Sequence, residues 1–159
     1  MRVDDRLIHG QVLLGWGPVV SPDRYVVVDD AMAHDPFQSA LLVATTGGVP
    51  VDVLAEADVP GRLVPLAISP ESLFVLVRGL PEAARVAQSL ARSGLTPGSI
   101  NLGGLHYAPG KERVQDNVYL DAADRAALAE LFGLGVRVIV QDVPATRPMD
   151  APPDWRASA

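Results

Sequence analysis

Six short apolar runs recur along the chain: Tyr25–Val28, Val51–Leu54, Leu73–Val77, Ser99–Leu102, Val118–Leu120 and Val136–Val140. Their length and β-branched content predict strands, and the unbroken apolar character of Tyr25–Val28 predicts one buried on both faces. Between the runs the spacing changes to that of helices. Phe37, Ala40, Leu41 and Ala44 fall on one helix face, as do Ala83, Val86, Ala87 and Leu90, with Pro81 placed for a first turn. Asp121 to Phe132 carries the fullest signal. Asp121 is an N-cap, Asp124 puts charge in the first turn, Leu128, Leu131 and Phe132 form the apolar stripe, and Gly133 or Gly135 ends it. Asp58–Ala67 is a poorer helix because Pro60, Gly61 and Pro65 oppose it. After Val143 the chain holds Pro144, Pro148, Pro152 and Pro153 and no periodicity. This predicts a domain over residues 1–146 and a Pro-rich surface or frayed tail over 147–159.

Strands alternating with helices predict a single three-layer α/β domain, with a mainly parallel central sheet and helices on both faces. In such sheets ligands sit beyond the carboxyl ends of the strands. The loops expected there are 4–11, 29–35, 78–81 and 103–113. Gly47-Gly48 and Gly103-Gly104 are isolated doublets and mark turns.

Composition narrows the classes of function. The 159 residues include no cysteine, which excludes disulfides, a thiol nucleophile and a thiolate metal site. The net charge of −6 argues against a nucleic-acid-binding face. No run reaches the roughly 18 apolar residues of a membrane helix, and the charged N-terminus is unlike a signal peptide. The expected location is the cytoplasm.

The densest polar cluster is the first loop. Asp4, Asp5, Arg6, His9 and Gln11 lie within eight residues, Gly10 follows the histidine, and Val12, Leu13, Leu14 and Trp16 predict a helix starting near Gln11. A helix N-terminus offers unpaired N–H groups and partial positive charge to a phosphate. Arg6 adds a guanidinium, and a neighbouring Asp can fix the tautomer of His9. Taken alone, a loop histidine is most often an ordinary hydrogen-bonded residue, and the Asp-Asp-Arg run could equally be a structural ion pair. The chain has no Walker loop, dinucleotide fingerprint or metal-type His pair, so no metal and no cofactor is expected. Asp29-Asp30 reads as a helix cap or loop ion pair, and His34 and His106 as structural or rim residues. Arg78, after the Leu73–Val77 strand, is a candidate second phosphate contact.

The run Arg2-Val3-Asp4-Asp5-Arg6-Leu7-Ile8-His9-Gly10-Gln11-Val12 resembles the active-site segment of the IIB components of the mannose/fructose/sorbose family of the bacterial phosphoenolpyruvate-dependent sugar phosphotransferase system. Val26–Asp30 with Asp35-Pro36-Phe37, and Asn101–Tyr107 with Gly110-Lys111, resemble later stretches of the same family. The resemblance implies a cytoplasmic α/β phosphoryl carrier, a protein-N(pi)-phosphohistidine–sugar phosphotransferase. Its partners would be a IIA protein as phosphoryl donor and a membrane IIC/IID permease holding the sugar. By motif position His9 would be the pros-phosphohistidine; the chemistry of its neighbours, rather than the resemblance, puts Arg6, Asp4 and Asp5 in support and Gly10, Gln11 and Arg78 as phosphate contacts. Family members carry several residues ahead of this motif, so the expectation is either a true start upstream of Met1 or an unusually short first strand. The competing reading is a regulatory phosphocarrier without its own permease, signalling through the state of His9.

Overall fold

Strand-forming Val, Ile and Leu residues at the predicted runs build the centre of the molecule. The computed structural model describes residues 1–156. Strands are β1 (Arg2–Asp4), β2 (Arg24–Val28), β3 (Val51–Leu54), β4 (Leu73–Val77), β5 (Ser99–Gly104), β6 (Glu112–Gln115), β7 (Val118–Leu120), β8 (Arg137–Val140) and β9 (Met149–Asp150). The main sheet has seven strands in the order β3-β2-β4-β1-β5-β8-β9. All its pairs are parallel except β8 with β9.

Side chains alternate between the two faces of a strand, so the sheet has two cores. Val3, Val26, Val28 and Val77 face one helical layer, with Leu102 in the same cluster. That layer holds α5 (Leu80–Arg92) and α6 (Ala122–Gly133), after the short helices α1 (Gly17–Val20), α2 (Asp30–Ala33), α3 (Pro36–Thr45) and α4 (Val64–Ala67). Asp121 caps α6 reciprocally with Asp124, as its spacing predicted. Tyr25, Val27, Phe74 and Leu76 face the other way, against Leu7, Ile8, Val12 and Leu42.

Four expectations change. Val118–Leu120 does not join the main sheet but forms a hairpin with β6, whose Glu-Arg-Val-Gln sequence has no apolar pattern to read. Gly103-Gly104 is not a turn but the end of β5. The helix near Gln11 opens as a wide π-helical segment, Gln11–Trp16, in which the Gly17 N–H reaches back to the Val12 carbonyl, and it continues into α1. The predicted surface or frayed tail does run largely along the surface, but it is tied down rather than frayed through residue 156. Met149–Asp150 pairs with β8, and a 3₁₀ turn (Pro153–Arg156) seats Trp155 in the core beside Ala151. One aromatic anchor and two ladder positions leave no periodicity, which is why the sequence pattern missed them. Residues 157–159 lie outside the described residues.

The strand β1 lies between β4 and β5, so the first loop leaves the sheet at the point where the strand order diverges to either side. Doubly wound sheets open a crevice there.

Candidate active site

Alternation along the three-residue β1 places Arg2 and Asp4 on one face and Val3 on the other. Both charged side chains are completely buried. The Arg2 guanidinium donates to Asp4 Oδ2 (2.8 Å), to Asn101 Oδ1, and to the carbonyls of Gln141 (3.1 Å) and Asp142 (2.9 Å). It also lies 5.3 Å from the centre of the Trp16 ring, whose Nε1 donates to the same Asp142 carbonyl. Gly103 makes the room: a Cβ there would fall 1.9 Å from Arg2 Cζ. Burial pulls the Arg2 guanidinium below its ordinary range, while the charge of Asp4 opposes that shift.

Asp4 collects donors on both oxygens. Besides Arg2 on Oδ2, Oδ1 accepts from the Arg6 backbone N–H (3.2 Å) and stands 3.5 Å from Arg6 Nε. His9 Nε2 lies 3.1 Å from the same oxygen. That contact is close but off the hydrogen-bond axis, and Nε2 is enclosed with no better acceptor. Burial alone would raise the Asp4 carboxyl, yet the His9 contact and the Arg2 charge outweigh it and hold it below the ordinary carboxylate range. On the far side of the ring the Gln11 N–H donates to His9 Nδ1 (3.2 Å). An anion at Nε2 and a donor at Nδ1 select one neutral tautomer, with the proton on Nε2 and the lone pair on Nδ1.

Between Asp4 and His9 the chain makes a turn closed by the Leu7 N–H on the Asp4 carbonyl (2.9 Å). Leu7 adopts a left-handed backbone (φ 54°). That conformation costs a branched side chain about 1–2 kcal/mol. Burial of the Leu7 and Ile8 side chains in the second core offsets it and fixes the loop.

Arg6, half-exposed, donates from its guanidinium to Gln11 Oε1 (2.8 Å), so both reach the rim beside His9. Gly10 has an ordinary helical backbone, and nothing lies within 4 Å of where its Cβ would be. Of the two aspartates, Asp4 is the one that meets His9. Asp5 turns elsewhere: its carboxylate accepts from the His106 backbone N–H (2.7 Å) and from His106 Nδ1 (2.8 Å). Arg78 braces this assembly, donating to Asp29 Oδ2 (2.7 Å) and to the Asp5 carbonyl (2.9 Å). Asp29 caps α2 through the Met32 N–H, and His34 Nδ1 donates to the Asp30 carbonyl, so these residues take the structural places expected of them. Among the described residues no group of three or more His, Asp or Glu side chains is placed to hold a metal ion.

Arg2 is the participant that reading the sequence as a loop motif overlooked. Its signal is the i, i+2 spacing from Asp4 on a strand, which puts both on one face, together with a glycine on the neighbouring strand.

The sequence profile of the sorbose-subfamily IIB components of the phosphotransferase system matches residues 1–155. The chain belongs to this family. It is 31% identical over 156 residues to the N-acetylgalactosamine-specific phosphotransferase enzyme IIB component 1 of Escherichia coli K12, covering 95% of this chain and 94% of that one. It is 34% identical over 138 residues to the sorbose-specific EIIB component of Lacticaseibacillus casei, covering 86% and 82%. Its fold superposes on the crystal structure of the E. coli N-acetylgalactosamine IIB component 1 with a TM-score of 0.82 at 26% identity, over 95% and 97% of the two chains. On the IIB domain of the Klebsiella pneumoniae sorbose permease the TM-score is 0.79 at 29% identity, over 94% and 90%.

As a IIB component, the chain is a phosphoryl carrier of the sugar phosphotransferase system and a transferase in class. No helix among its described residues is long and apolar enough to cross a membrane.

Proposed function

We propose that this IIB component takes a phosphoryl group from a phosphohistidine of a IIA protein onto Nδ1 of His9, in the cytoplasm, and passes it to a sugar held by a membrane IIC/IID permease. The observation that carries this reading is the pair of contacts on the His9 ring. The Asp4 carboxylate beside Nε2 favours the proton there, which leaves the Nδ1 lone pair as the nucleophile.

Loading forms the Nδ1–P bond as the N–P bond of the donor breaks, with no net proton transfer. A ring substituted at Nδ1 and still protonated at Nε2 is cationic, and the buried Asp4 carboxylate stabilises it. Arg2 keeps that carboxylate ionised and its rotamer set. Transfer between two imidazoles depends on alignment and on neutralising the equatorial phosphoryl oxygens. The Gln11 N–H, at the opening turn of a helical segment, and the Arg6 guanidinium supply that charge, with Gly10 leaving open space for the group. Arg78, committed to Asp29 and Asp5, acts by holding the loop.

Phosphorylated chain is expected to show ¹H–³¹P couplings of an Nδ1-substituted His9, and attachment at Nε2 would overturn the assignment of roles to Asp4 and Gln11. Arg6→Ala is expected to slow loading by about tenfold or more. Because Arg6 is half-exposed, its thermal midpoint should stay near that of the parent. An unchanged rate would move the charge-neutralising role to Arg78 or to backbone donors.

A further inference from the structure

The contacts on the two nitrogens of His9 come from different parts of the chain. Asp4, beside Nε2, belongs to β1, whereas the Gln11 N–H on Nδ1 opens the π-helical segment Gln11–Trp16. A shift of that segment against β1 would open one contact or the other. The two are tied together at the carbonyl of Asp142, in the segment that follows β8.

Trp16 stands at the far end of the π-helical segment, one wide turn along from Gln11. Such turns are rare and recur at functional sites. The Trp16 indole Nε1 donates to the Asp142 carbonyl (2.8 Å), and Arg2, which also donates to Asp4, donates to the same carbonyl (2.9 Å). The indole ring lies 5.3 Å from the guanidinium carbon. Arg2 Nε is buried without a partner among the described residues, so the bonds of its two Nη groups and the indole fix the guanidinium. The carbonyl itself is rigidly placed. Asp142 Oδ1 accepts from the Val143 N–H (2.7 Å) and the Thr146 hydroxyl (2.9 Å), and the Thr146 N–H closes the turn on the Val143 carbonyl (3.0 Å). The Gln141 N–H ties the start of this turn to the Leu102 carbonyl of β5 (3.0 Å). The π-helical segment packs closely on the turn, with Pro144 Cδ 3.5 Å from where a Gly15 Cβ would lie.

Alignment of the reacting nitrogen is a main contribution a protein makes to transfer between imidazoles. We propose that Trp16 is a positioning residue for this transfer. Its indole fixes the helical segment that carries the Gln11 N–H and, through Arg2, the Asp4 carboxylate to one carbonyl. The His9 ring is thereby held from both sides, with Nδ1 in line for the phosphoryl group. This deepens the function proposed above and rests on it. The transfer is unchanged: the His9 Nδ1–P bond forms as the N–P bond of the donor breaks. Trp16 forms no bond in it and acts through Arg2 and Gln11.

The test separates positioning from packing. Trp16→Phe keeps a ring beside Arg2 and lacks the indole N–H. Loading of His9 is followed over a range of phosphorylated IIA concentrations, and long-range ¹H–¹⁵N spectra of the unphosphorylated chain report the tautomer of His9. In Trp16→Phe the kcat of loading is expected to fall about tenfold while the KM for IIA stays near that of the parent. The fraction of His9 protonated on Nδ1 should rise, because the Gln11 donor is no longer held against that nitrogen. Thr146→Val, at an exposed position, removes the hydroxyl from Asp142 and leaves Trp16 in place. It is expected to move both readouts in the same direction by less, and it decides the matter should Trp16→Phe fail to fold. A folded Trp16→Phe with parent kcat and parent tautomer would overturn the proposal whatever its thermal midpoint, since the indole would then serve packing alone. So would a raised KM with unchanged kcat, which would place Trp16 on the docking surface of the donor. Thr146→Val at parent values beside an unfolded Trp16→Phe would overturn it as well. Parent chain that carries no label on His9 would fail the underlying function, and the proposal with it, before any variant is compared.

Discussion

His9→Ala is expected to abolish phosphoryl loading of this chain and to leave its fold intact. In the parent, phosphoenolpyruvate and the upstream relay proteins should label one acid-labile position, and in the variant that label should vanish. The loss should be complete because no other described histidine has the same setting. His34 has its Nδ1 on a backbone carbonyl, and His106 has its Nδ1 on Asp5. The cost in stability should be small, about 1 kcal/mol or less. His9 belongs to neither hydrophobic core, and Asp4 keeps Arg2 and the Arg6 N–H as partners when the imidazole is gone. Denaturant unfolding checks the second half of this expectation and phosphoryl transfer the first. Label retained by a folded His9→Ala chain would sink the assignment of the carrier.

The largest loss of stability is expected at Arg2. Arg2→Ala removes the partner of a carboxylate that is completely buried, and breaking such a pair typically costs about 3–5 kcal/mol. Two backbone carbonyls and Asn101 lose a donor at the same time. Against a typical total of about 5–15 kcal/mol, this is a large fraction. The dependence on pH has a definite sign. Asp4 has a depressed folded-state pKa in the parent, so its contribution is present above the unfolded carboxylate value and is lost as pH falls through the folded one. Without Arg2, burial acts on the carboxyl with less opposition and favours its neutral form. The difference in unfolding free energy between parent and variant should therefore be greatest near pH 7, begin to shrink above the ordinary carboxylate range where the variant's buried carboxyl takes up its proton, and keep shrinking as pH falls through the parent's depressed value. Gly103→Ala offers an independent check, since its Cβ would overlap the Arg2 guanidinium while leaving every charge in place. Both variants unfolding within about 1 kcal/mol of the parent would show that the buried pair does not hold the site.

Much of the fold was legible because periodicity reports burial directly. The valine-rich run at Tyr25–Val28 is buried, and Ala83, Val86, Ala87 and Leu90 are the inward face of α5. The elements that escaped are those whose pairing is decided by distant partners. The hairpin strand β6 is polar and forms because β7 lies antiparallel to it, with Asn117 in a left-handed conformation between them. The edge strand β9 is two residues long, and its place depends on β8. Trp155 enters the core only because α6 leaves a seat for it.

For the site the division is sharper. The sequence alone determined that His9 lies in a polar loop at the carboxyl end of a strand, with Arg6 and two aspartates near it, because local spacing sets which residues share a loop. Tertiary structure decided which aspartate does what. Adjacent residues at the end of a strand point in different directions, so Asp4 turns inward to Arg2 and His9 while Asp5 meets His106, about a hundred residues away in sequence. It also decided that Arg2 is internal. A charge can be completely buried only where donors and acceptors from several strands converge on it, and that convergence, with the space left by Gly103, exists only once β1, β5 and the segment after β8 lie side by side.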